Sequence, residues 1–118
     1  MAARKAVRIL GFDPGSRRTG FGVIELSAGG RLTYVASGSI VLGALAFNDR
    51  LRKLYTMAGT LVREQAPDEV SIERVFMHRN ADSALKLGHA RAALICATFA
   101  DDVPVFEYAA REVKQTVT

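Results

Sequence analysis

The sequence holds one cysteine, Cys96, no tryptophan and only three prolines among its 118 residues. One cysteine excludes an intrachain disulfide, so the core must stand on packing, as suits a reducing compartment. No apolar run approaches the ~20 residues that a bilayer span needs. The basic start, Met1 to Arg8, leads into no apolar signal segment. No membrane association is therefore expected, and the cytoplasm is the expected location. Zinc ligands are scarce and badly spaced, with His78 and His89 eleven apart and Cys96 seven further on. Repeats, low-complexity stretches and linkers are missing too. Residues 1–118 are thus expected to form a single domain.

What is present is an ordinary globular balance, 49% hydrophobic and 24% charged, which excludes a disordered or collagen-like chain. A domain of this length buries roughly two-thirds of its unfolded surface. The charge is unevenly placed. Residues 1–31 hold six bases (Arg4, Lys5, Arg8, Arg17, Arg18, Arg31) against two acids (Asp13, Glu25), so this end carries the whole net charge of +4. Such an excess is compatible with a polyanion such as DNA, and equally with a solvated, solubilising face.

The chain opens on three short strands. Val7 to Phe12 runs into the turn cluster Asp13-Pro14-Gly15-Ser16. Gly20 to Leu26 follows, then the hairpin signal Ala28-Gly29-Gly30-Arg31 and a strand from Leu32 to Val41. The period then changes. Leu51, Leu54, Tyr55, Ala58, Leu61 and Val62 mark one face of a helix that Asn48 or Asp49 can cap and Pro67 ends. Glu69 to Glu73 reads as a compact strand. Asn80 caps a second helix, Ala81 to Phe99, with an expected buried stripe of Ala81, Ala84, Leu85, Gly88, Ala92, Ile95 and Phe99. Cys96 is expected in the core of that helix. Val103 to Tyr108 reads as a last strand, placed at an edge by Pro104, and Ala109 to Val117 as a helical start. The pattern β-β-β-α-β-α-β predicts an α/β domain with a mixed sheet of order 3-2-1-4-5 and helices on its faces.

That order has a chemical consequence. Asp13 lies just past the end of the first strand and Glu73 at the end of the fourth. Adjacent strands run about 4.8 Å apart, and ligands gather at the carboxyl ends of parallel strands. Two carboxylates so close repel, and a divalent cation relieves the conflict. Oxygen-only ligation selects Mg²⁺ or Mn²⁺, and carboxylate-bound Mg²⁺ commonly serves phosphoryl transfer. Taken singly, Asp13 reads as a turn residue before Pro14-Gly15, and Glu73 as a strand-end partner of Arg74 or Arg79. Phe76 lies in the segment 75–80, between Arg74 and Arg79. It can stack on an unpaired base or cap the core beneath the loop. Gly20 and Gly22 read as close strand packing.

The run Gly11-Phe12-Asp13-Pro14-Gly15-Ser16-Arg17-Arg18-Thr19-Gly20-Phe21-Gly22 resembles the opening motif of the RuvC Holliday-junction resolvases. The likeness continues through Ile72-Glu73-Arg74-Val75-Phe76-Met77 and Asn80-Ala81-Asp82-Ser83-Ala84-Leu85-Lys86-Leu87-Gly88. It reaches the end in Pro104-Val105-Phe106-Glu107-Tyr108-Ala109-Ala110-Arg111 and Val113-Lys114-Gln115-Thr116-Val117. The resemblance implies a ribonuclease H-like fold and a Mg²⁺-dependent endonuclease that resolves four-way DNA junctions in recombination and repair. It implies a homodimer, the second helix contributing to its interface, and a partnership with the pathway's branch-migration motor. Asp13 and Glu73 would be catalytic carboxylates and metal ligands, and Phe76, Arg79 and Lys114 DNA contacts. Sugar kinases and related ATPases share the outline of the Asp-x-Gly opening, but they need a second domain. Family members extend beyond residue 118 into a helix that brings two more acidic residues, so the chain reads as truncated. With two carboxylates, weak metal affinity and poor turnover are expected. A junction-binding module without catalysis is the alternative.

Overall fold

The computed structural model describes residues 6–74 and 80–108. Strand β1 (Val7–Asp13) pairs antiparallel with β2 (Arg18–Leu26), which pairs antiparallel with β3 (Leu32–Val41). Helix α1 (Phe47–Gln65) leads to β4 (Glu69–Glu73), parallel to β1. Helix α2 (Ala81–Cys96) and a 3-10 turn (Phe99–Asp101) lead to β5 (Val105–Tyr108), parallel to β4. The sheet order is 3-2-1-4-5, as the sequence predicts. The β2–β3 turn closes through Gly30, at φ 85°, a left-handed conformation that suits glycine. Edge strand β5 begins just after Pro104, which has no N–H to offer a ladder.

The core lies on one face of the sheet. Leu10 and Phe12 of β1, Val23 of β2, and Val70 and Ile72 of β4 are buried and share one strand parity, so their side chains point the same way. Leu54, Ala58 and Val62 of α1 and Ala90 and Leu94 of α2 join them in one cluster. Both described helices therefore cover that face. On the opposite face lie Ile9, Gly11, Asp13, Ile24, Ser71 and Glu73, none of them buried.

Five local expectations change. Helix α1 begins at Phe47 after Ala46, without a side-chain cap, so Asn48 and Asp49 sit inside its first turn. Acidic Asp49 there suits the helix dipole. Its buried face is Arg50, Leu54, Ala58, Gly59 and Val62, while Tyr55 is exposed. Helix α2 ends at Cys96, not Phe99, and buries Ala90 and Leu94. Ala81, Leu85, Gly88, Ala92 and Phe99 of the expected stripe are exposed, and so is Cys96. Apolar residues surround most of this helix, so periodicity alone did not choose its inner face. The Asn80 cap does form, its Oδ1 accepting from the Ser83 N–H at 2.8 Å. The expected helix 109–117 lies outside the described residues.

Candidate active site

The turn after β1 is held from several sides. A Cβ on Gly15 would collide with the Arg18 carbonyl oxygen, so only glycine fits there. Buried Thr19 clasps Gly15, accepting from its N–H at 3.3 Å and donating to its carbonyl at 3.2 Å. The N–H groups of Leu42 and Gly43 donate to the Arg17 carbonyl at 2.9 and 3.2 Å. Arg50 reaches up from α1 and donates from Nη1 to the Ser16 carbonyl at 3.0 Å. Asp13 thus starts a turn whose backbone is fixed before any ligand arrives.

Phe12 pairs with Ile72 at the end of the β1–β4 ladder. Asp13 and Glu73 are the next residue of each strand, so both carboxylates leave the sheet on the face opposite the core. They line one open cavity of about 370 Å³, with Gly11, Gly20 and Gly22 in its wall. A Cβ on Gly22 would meet nothing within 4 Å, and one on Gly20 only the Asp13 Cβ at 3.8 Å. Close strand packing therefore does not require these glycines. Their effect is to keep the surface beside the carboxylates bare. Asp13 is exposed, and among the described residues no group bonds to its carboxylate.

These two side chains fit a magnesium-type ion. The donors are carboxylate oxygens, and Mg²⁺ is commonly held by one or two carboxylates while keeping several waters. No cluster of three or more potential metal ligands exists among the described residues, so Asp13 and Glu73 form a partial donor set. Phe76, Arg79 and Lys114 lie outside the described residues. Sequence reasoning passed over Arg50, a cation on the buried face of α1. Its spacing of four from Leu54 and eight from Ala58 was the available signal.

A five-stranded 3-2-1-4-5 sheet with paired carboxylates at the ends of its central parallel strands defines a ribonuclease H-like domain of the carboxylate-bearing class. The particular family follows from comparison: residues 9–118 match the family model "Crossover junction endodeoxyribonuclease RuvC", and the chain belongs to that family. A relative of that name from Xanthomonas oryzae pv. oryzae is 54% identical over 108 residues, covering 91% of this chain and 62% of the relative. One from Stenotrophomonas maltophilia is 55% identical over 111 residues, covering 93% and 64%. The chain thus spans less than two-thirds of the length of these curated relatives. Among solved structures, Thermus thermophilus RuvC in complex with a Holliday junction substrate superposes with a TM-score of 0.84 at 24% identity, over 95% of this chain and 70% of that one. This likeness bears on the fold.

Proposed function

We propose that this chain is the nuclease domain of a structure-specific endonuclease that resolves four-way DNA junctions in recombination and repair. The observation carrying this reading is the meeting of Asp13 and Glu73 in one open cavity at adjacent strand ends. Family membership supplies the substrate class, since the relatives are named crossover junction endodeoxyribonucleases.

In this reading Asp13 and Glu73 hold Mg²⁺, or Mn²⁺ in its place. When bound, the ion stabilises charge developing on the scissile phosphate and lowers the pKa of water. The chain's own residues do the positioning. The clasped turn holds Asp13, the parallel ladder holds Glu73, and the bare glycine wall admits the DNA backbone. Hydrolysis is direct, since among the described residues no base adjoins Ser16 to make it a nucleophile. Phe76 stacks on a base at the opened crossover, and Arg79 and Lys114 contact phosphates. Two further acidic residues come from the region by which the relatives exceed this chain.

The active form is a homodimer working in the cytoplasm with the pathway's branch-migration motor. Dimerisation is supported by the outer face of α2, where Ala81, Leu85, Gly88 and Ala92 are exposed at helical spacing, Leu85 by 62%. No described helix is long and apolar enough to cross a membrane. The test is a cleavage assay on a four-way junction with and without Mg²⁺, using the chain extended to its relatives' length. Symmetric nicking that Asp13→Asn abolishes supports the reading. Junction binding without nicking in the extended protein would favour the non-catalytic module.

A further inference from the structure

A second cavity lies on the helical side of the Asp13 turn. It measures about 380 Å³ and is lined by Ser16, Arg17, Arg50, Ser83, Lys86 and Leu87. Three of those six side chains are cations, and none is an acid. Arg50 is the unusual one. It is only 7% exposed. Its Nη1 is committed to the Ser16 carbonyl, and its guanidinium lies 5.2 Å from the Phe47 ring centroid. Its buried Nε has no hydrogen-bond partner, and no carboxylate pairs with it among the described residues.

A guanidinium cannot escape burial by losing its proton. A buried charge without a counter-ion is costly, and so is a buried N–H without an acceptor. An anion in the cavity would offset the first, since Arg50 lines it. The remaining lining suits an oxyanion. Ser83 offers a hydroxyl in the first turn of α2. Exposed Arg17 is bound to no other side chain described. Lys86 is paired with Asp82 at 3.0 Å, but Asp82 is 75% exposed, so the pair is weak and its cation can turn to another acceptor.

Position narrows the anion further. Ser16 is three residues from Asp13, so their Cα atoms are at most about 11 Å apart. A DNA strand rises about 3.4 Å per nucleotide. With side-chain reach added at both ends, a phosphate in this cavity would lie within a few nucleotides of the one at the carboxylates. We infer that the cavity lined by Ser16, Arg17, Arg50, Ser83 and Lys86 is a phosphate site that grips the DNA backbone beside the cleaved bond. The inference rests on the function proposed above and adds a register-setting contact to it. Arg50 then has a double role: it holds the turn that carries Asp13, and it meets the neighbouring phosphate.

The experiment measures four-way junction binding by the chain, without divalent metal, as a function of salt. Arg17→Gln with Lys86→Gln removes two cations from the cavity's open side and leaves Arg50 to support the fold. The expected result is a several-fold loss of affinity and a salt slope shallower by about 0.9, the value for one phosphate contact. Junctions carrying a neutral methylphosphonate at single positions near the crossover locate that contact. One position, within a few nucleotides of the cleaved bond, should weaken wild-type binding several-fold and weaken binding of the double variant, which keeps only Arg50 there, by clearly less. Losses that multiply independently at every position would overturn the proposal. Equal junction binding by both proteins, with inorganic phosphate raising the melting temperature of the wild type alone, would also overturn it by making the ligand a free anion. If the chain extended to its relatives' length also binds no junction at all, the proposed function falls first, before any variant is compared.

Discussion

Asp13 is an exposed carboxylate on an immobilised turn, and its value lies in that combination. The turn depends on Gly15, whose replacement by alanine would drive a methyl group into the Arg18 carbonyl. We expect Gly15→Ala to destabilise the fold by more than 1 kcal/mol, read as a lower denaturant midpoint at unchanged m-value. Asp13→Asn keeps the shape and removes the charge. In the extended protein it should reduce junction cleavage by about 100-fold or more, since losing several kcal/mol of charge stabilisation is worth that much. Asp13→Asn with Glu73→Gln should be little worse than either alone if the two act as one unit, as proposed. Single-turnover cleavage rates on one junction measure all three.

Helix α2 has two faces with different duties. Its inner face, Ala90 and Leu94, packs into the core, and Leu94 is fully buried. Leu94→Ala should therefore cost about 2–5 kcal/mol in equilibrium unfolding. Its outer face carries Leu85, whose exposure means that Leu85→Asp should leave the stability of the monomer nearly unchanged. The same change should weaken self-association, seen as a shift toward monomer in sedimentation. A loss of stability comparable to that of Leu94→Ala would show that Leu85 serves the core instead.

At the scale of the molecule, the site exists only because the sheet closes in one order. Asp13 and Glu73 are sixty residues apart in the chain and adjacent after the β1–β4 ladder forms. An ion bound by both ties the site to folding. Mg²⁺ should stabilise the folded chain by about 1.4 kcal/mol at tenfold excess over its dissociation constant. That gain should vanish in Asp13→Asn, as read by thermal unfolding at constant ionic strength. Among the described residues nothing covers the sheet face that bears the carboxylates, with Ile9 and Ile24 half-buried and Phe106 exposed, whereas both described helices occupy the other face.

Much of this was written in local order along the chain. The presence of five strands, the Asn80 cap and the 3-2-1-4-5 order follow from turn residues, periodicity and the rules of chain connection, while the ends of β1, β2 and β5 moved by one or two residues. From that order the neighbourhood of Asp13 and Glu73 could be read directly. Other features depended on packing partners distant in sequence. The α2 stripe was misplaced because alanine and leucine surround that helix, and only contact with the sheet selected Ala90 and Leu94. Cys96 lay outside for the same reason. The sequence pattern did not single out Arg50, and only folding set its guanidinium against the Ser16 carbonyl. Periodic and turn signals are properties of neighbouring residues, so the sequence by itself determined the elements and their order. Which helix face turns inward and which charge becomes buried depend on what stands opposite, and only the tertiary structure decided those.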